Sequence, residues 1–188
     1  MPNQTLHFDF TKSATRKNFF GTAVIGLDDV QRTLVAEAVN DVSIPSSERL
    51  HDYADVCRAL DKTVATDSAK AQAKEVYKIL AEAEAQVHGT TLDQVHFHEV
   101  GQGVTCREIL GICVAIEQLA PERITATAVQ VGSGTVECEH GTLDVPAPAT
   151  KAILEKYHIP VVEEKLEGEL CTPTSAALIA HYVQEFTE

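Results

Sequence analysis

The densest run of side chains capable of chemistry is His96-Phe97-His98-Glu99-Val100-Gly101-Gln102-Gly103. In extended backbone His96 and His98 share one face with their Cα atoms roughly 6.5–7 Å apart. That spacing lets two imidazoles converge on one ion or one substrate. Phe97 then points the other way, into a core, and Glu99 adds a carboxylate, so that His96, His98 and Glu99 are the candidate catalytic and metal-ligating groups. Two His flanking a Glu on a helix, four residues apart, would mark a zinc protease; this pattern differs and disfavours one. The structural alternative is that His and Glu beside a helix start merely complete hydrogen bonds. A weaker candidate follows downstream, where Cys138 and His140 could share one face as ligands, although turn formation explains His140-Gly141 almost as well.

Elements must hold these groups in place. Thr105-Cys106-Arg107-Glu108 reads as a capping box, predicting a helix that opens near Thr105. Its amides and positive dipole end then lie near Gly101 and Gly103, where an anion could sit. Cys106 and Cys113 fall on the apolar face of this helix and read as packed thiols.

Upstream, Gln4–Phe10 alternates as a half-buried strand with Leu6, Phe8 and Phe10 on one side. Asp28 and Asp29 open a helix whose stripe is Leu27, Val30, Leu34 and Ala38, ending at Asn40-Asp41. Pro45-Ser46-Ser47-Glu48 starts another, with Leu50, Tyr53, Ala54, Cys57 and Leu60 inward and His51 beside the stripe. A longer helix is predicted over 68–88, with Ala73, Val76, Tyr77, Leu80, Ala83 and Val87 inward, its outer charges solvated, and Gly89 as its stop.

Downstream, Ile124–Val131 reads as a strand broken by Gly132-Ser133-Gly134. Thr135–Cys138 and Thr142–Val145 form a hairpin, Pro148 starts a short helix, and residues 159–166 suggest one more strand. Thr172 caps a last helix with Pro173 at its first position. The expected class is mixed α/β: a mixed sheet of about four to five strands covered by helices, with a helical first half.

At 188 residues and 44% hydrophobic, the chain predicts one domain over 1–188, with a small lobe at 1–45 set off from a core at 46–188. The formal net charge of -13, without a basic patch, disfavours a nucleic-acid partner. Five cysteines without a C-x-x-C pair or a preceding signal peptide, and no run long enough to span a bilayer, predict reduced thiols in the cytoplasm away from the membrane.

In order and spacing, His96–Gly101, Gly132–Gly134, His140-Gly141 with Val145–Thr150, and Glu167–Leu170 with Thr172–Thr174 resemble the nickel insertion protein family. Its members complete the nickel-pincer nucleotide cofactor of lactate racemase by placing nickel into a pyridinium bis-thiocarboxylate mononucleotide. The resemblance implies a nickel-inserting lyase or chelatase in which His96, His98, Glu99 and His140 handle nickel. It also implies that Gly101, Gly103, Gly132, Ser133, Gly134, Thr172 and Thr174 receive the anionic groups of the nucleotide.

Family members usually carry a Cys-Ser-Gly-Ile-Ser-Gly-Asp-Met-like turn where this chain has Phe10–Asn18, a histidine-rich stretch before Leu50, and acidic residues near Val104. They commonly continue into a domain implicated in nucleotide triphosphate use, which is not expected of residues 1–188. A separate C-terminal-half protein or a second copy of the chain is the implied protein partner. The alternative is a shortened, non-catalytic paralogue that binds metal, nucleotide or a full-length relative.

Overall fold

The computed structural model describes residues 4–42, 52–98, 100–138 and 141–187. Glu99 and His140, the expected helix start at Pro45–Glu48, and Leu50 and His51 lie outside the described residues. The mixed α/β class and the helical first half are as expected. The chain divides into two compact units, Phe20–Ala120 on one hand and Met1–Phe19 with Pro121–Glu188 on the other. Helix α1 (Arg16–Ile25) leads from the second into the first.

Phe20–Ala120 is built on helices α2 (Asp29–Asn40), α3 (Tyr53–Asp61), α4 (Asp67–His88) and α5 (Gly103–Leu119). Asp28 caps α2 in a full capping box, accepting from the Gln31 amide at 2.8 Å while the Gln31 side chain accepts from the Asp28 amide at 3.0 Å. The same Gln31 donates to the Gln118 carbonyl at 2.9 Å, which ties α2 to the end of α5. This choice of face corrects half of the expected stripe: Leu27 and Ala38 are buried as expected, but Val30 and Leu34 are 70% and 42% exposed, and Val35 and Val42 are buried in their place. Both faces of α2 carry apolar residues at helical spacing, and the one that wins packs on Gly111. A Cβ there would meet Val39 Cγ2 at 2.8 Å, so the missing side chain is what admits the neighbouring helix.

Asp52, in extended backbone, caps α3 by accepting from the Asp55 amide at 2.8 Å, and the helix starts at Tyr53. Val56 and Leu60 form its buried stripe. Thr66 caps α4, and Gly89 ends it in the left-handed conformation at φ 63° that glycine adopts without steric cost. Val87, expected inward, is exposed in that last turn. Helix α5 starts two residues before its predicted opening, at Gly103 after an extended Gln102 that makes no side-chain cap bond. Thr105 is therefore buried within the first turn instead of capping it.

The other unit holds the strands. β1 (Thr5–Phe8), β2 (Arg123–Thr127) and β7 (Glu185–Thr187) form a parallel sheet in the order β1-β2-β7, in a register that sets Leu6 beside Ile124 and Thr125 beside Glu185. β3 (Gly132–Ser133) pairs with β6 (Gly168–Glu169), and β4 (Thr135–Cys138) makes the expected hairpin with β5 (Gly141–Asp144). The strands are thus spread over three small sheets, because glycines at 132, 134 and 168 turn the chain with positive φ before any ribbon can lengthen. Of the expected strand at 159–166, one bridge between Val129 and Val161 remains. The residues beyond it instead hang on Gln130, whose side chain donates to the Glu164 carbonyl at 2.7 Å.

Helices α6 (Pro148–Lys156) and α7 (Pro173–Tyr182) complete this unit. Its core includes the stacked rings of Phe8, Phe10 and Phe19, with centroids 4.2 Å apart for Phe8–Phe19 and 5.5 Å for Phe8–Phe10. Among the described residues no helix is long and apolar enough to cross a membrane.

Candidate functional site

After Gly89 the chain turns through residues 91–94 and passes along α4 without pairing as a strand. Val95, Phe97 and Val100 are buried, and this is what fixes the loop. The Phe97 ring lies 5.7 Å from that of Tyr77, and the Tyr77 hydroxyl donates to the Val100 carbonyl at 3.0 Å. His96 is exposed, whereas His98 is half-buried with its Nδ1 shielded from solvent.

The structure brings His98 to His88, with ring centroids 6.1 Å apart. One helical turn back, Glu84 places Oε2 3.4 Å from His88 Nε2. Tyr77, Glu84 and His88 recur at spacings that put them on one face of α4, the face that receives the loop. Glu84, expected among the solvated outer charges, has a side chain only 16% exposed. The signal that could have found it is the Glu-x-x-x-His pair one turn before the helix stop. Among the described residues no group of three His, Cys, Asp or Glu side chains is placed so that it could hold a metal ion.

Two of the thiols are unsuited to that chemistry. None of the five cysteines is in a disulfide. Burial pushes the Cys106 thiol up to about 12 and that of Cys171 likewise to about 12, so both stay protonated at neutral pH, and it is the thiolate that binds metal. The Cys138 thiol donates to the Gly141 carbonyl at 3.3 Å, closing the hairpin end. Nitrogen and oxygen donors are what the loop and α4 offer.

The glycine and threonine candidates are held by separate arrangements. Gly101 and Gly103 are buried, and Arg107 in the second turn of α5 donates to the Val42 carbonyl at 3.0 Å. In the strand-bearing unit, the amide of Gly132 donates to Gln130 Oε1 at 3.0 Å, and Ser133 Oγ donates to the Leu166 carbonyl at 2.9 Å. Gly132, at φ 87°, has no room for a side chain: a Cβ would lie 1.8 Å from the Gly168 carbonyl oxygen. Thr172 caps α7, accepting from the Ser175 amide at 3.3 Å, and Thr174 is buried in its first turn. Helix α6 lacks any side-chain cap. Thr150 in its first turn is fully buried, and its hydroxyl has no hydrogen-bond partner among the described residues.

Comparison with known proteins now bears on these motifs. The model of the family described as nickel insertion protein matches residues 8–188. The chain is 41% identical over 133 residues to the pyridinium-3,5-bisthiocarboxylic acid mononucleotide nickel insertion protein of Clostridium kluyveri, covering 71% of this chain and 33% of that one. With the protein of the same name from Clostridium acetobutylicum it shares 41% identity over 134 residues, 71% of this chain and 31% of the other. The chain therefore spans about a third of the length of each of these curated relatives. No solved structure matches it. A match running through the strand at Phe8, the His96–Gly103 loop, the Gly132 turn and the Thr172 cap establishes that the chain belongs to the nickel insertion protein family.

Proposed function

We propose that this chain takes part in placing nickel into a pyridinium-3,5-bisthiocarboxylic acid mononucleotide, with nickel and the nucleotide both as substrates. The observation that carries this is the half-buried His98 imidazole, set on a frame of buried Val95, Phe97 and Val100. His96, His98 and Glu99 are the nickel contacts in this reading, and His140 is auxiliary. Imidazole and carboxylate bind nickel, and a carrier with such donors can yield its ion to the softer sulfur donors of the thiocarboxylates. Gly101, Gly103, the Gly132–Gly134 turn, Thr172 and Thr174 are proposed to receive phosphate or carboxyl-type groups through backbone amides and helix N-termini. The remaining length of the relatives, in cis or in trans, would carry any use of nucleotide triphosphate.

A second reading is a binding module that holds metal or nucleotide without chemistry. It is favoured by the internal hydrogen bonds of Ser133 and Thr172, which give both residues a structural reason to be present. Calorimetry with nickel, with and without the nucleotide, tests the first reading. Nickel should bind, and the His96→Ala/His98→Ala variant should bind about tenfold to a hundredfold more weakly. A wild-type chain that takes up no nickel would end it. Nickel recovered on the nucleotide after incubation separates insertion from mere binding.

A further inference from the structure

The geometry points to His88 and Glu84 of α4 as nickel ligands that act with His98, a site in which an imidazole partner of His98 comes from the helix. The inference rests on the nickel reading above and names different residues for it. An ion lies roughly 3.2 Å from the centre of an imidazole that ligates it, given a metal–nitrogen bond of about 2.0–2.1 Å. Two rings sharing one ion have centroids about 5.2 Å apart at the tetrahedral angle and at most about 6.4 Å apart when they oppose each other, so the rings of His88 and His98, 6.1 Å apart, come within reach of one ion after closing by about 1 Å.

The helix supplies the second edge of the same polyhedron. Donor atoms bonded to one ion at about 2.1 Å lie roughly 3.0 Å apart in an octahedron and 3.4 Å apart in a tetrahedron. Glu84 Oε2 and His88 Nε2 are separated by 3.4 Å, long for a hydrogen bond and right for two ligands. The bland account, an ion pair at the end of a helix, explains the Glu84–His88 approach. It does not explain why a second imidazole is delivered to the same place by a loop whose neighbouring residues are buried.

As placed, no group of three His, Cys, Asp or Glu side chains among the described residues could hold a metal ion, so the proposed site requires the His98 ring to move in by side-chain rotation on loading. A site with two donors fixed on a helix and a third on a loop gains and loses its cation by one rotation. That suits a protein that must hand its metal on.

The test is titration of the full chain with nickel ion alone, read by calorimetry and by the paramagnetically shifted imidazole resonances of the wild-type protein. The resonances should assign one bound ion to His88 and His98. His88→Gln and His98→Gln should each weaken binding about tenfold or more, Glu84→Gln should weaken it less, and the double His variant should fall little below the weaker single one. Unchanged melting temperatures show that the variants fold, and the wild-type resonances decide the matter should one of them not. If His88→Gln binds as tightly as wild type and the shifted resonances belong to His96 and His98, this inference is overturned while the nickel reading stands. A wild type that binds no nickel overturns both.

Discussion

The hydroxyl of Tyr77 donates a 3.0 Å hydrogen bond to the carbonyl of Val100, so the middle of α4 holds the far end of the His96–Val100 loop. Both groups are buried, and removing the phenolic oxygen leaves that carbonyl without this donor. Tyr77→Phe should cost about 1–3 kcal/mol in urea unfolding. It should also loosen nickel binding, since the loop loses its clamp. A variant as stable as wild type would show that the bond contributes nothing net.

Thr150 offers the opposite case. Its hydroxyl is buried without a partner among the described residues, so desolvation is uncompensated. Thr150→Val keeps the shape, removes the polar group and should raise stability by about 1 kcal/mol, visible as a higher melting temperature. A drop of similar size would reveal a role for the hydroxyl that its surroundings do not account for.

Two glycines with similar backbone should respond differently. Gly132 at φ 87° faces the Gly168 carbonyl at 1.8 Å from a built Cβ, whereas Gly141 at φ 90° has nothing within 4 Å. Gly141→Ala carries backbone strain alone, about 1–2 kcal/mol. Gly132→Ala adds a collision with main chain and should lower stability by clearly more, on the order of 3 kcal/mol or beyond. Equal losses in chemical unfolding would refute the close approach of the two turns.

Alkaline pH should destabilise the chain through its buried thiols. Burial raises Cys106 and Cys171 from 9.0 to about 12, so the folded state keeps protons that the unfolded state releases. Their contribution is complete below pH about 9 and is lost as pH rises toward about 12, at up to about 1.4 kcal/mol per pH unit for each thiol. The Cys106→Ala/Cys171→Ala variant, whatever its stability at pH 7, should show a shallower decline across that interval. Parallel curves would count against protonated, buried thiols.

Punctuation was the part of this fold most legible in the sequence. The Gly89 stop, Thr172-Pro173 and the Thr135–Asp144 hairpin carry caps, breakers and alternation that act locally, and they appear close to where local chemistry puts them. What depends on distant partners was not legible. Helix α2 has apolar residues on two faces, and only Gly111, far along the chain, selects the face with Val35. β7 is three residues long and exists because β2 lies open beside it, with Arg123 and Glu185 3.0 Å apart. The histidine loop stood out for its density of reactive groups. His88 did not, because its significance lies in a ring 6.1 Å away that sequence spacing cannot reveal.

Parallel pairing of Thr5 with Arg123 makes the order of synthesis matter. The first strand emerges with its apolar Phe8 and Phe10 long before its neighbour is made, on the order of ten seconds at about 5–20 residues per second. In that interval Phe20–Ala120, one continuous stretch, is made, and its earlier helices can begin to fold on their own contacts. The nascent chain thus carries a growing helical body behind an orphan strand that needs protection from premature association. Ribosome-bound chains halted just before residue 121 should be more prone to aggregate than chains halted after β2 has emerged.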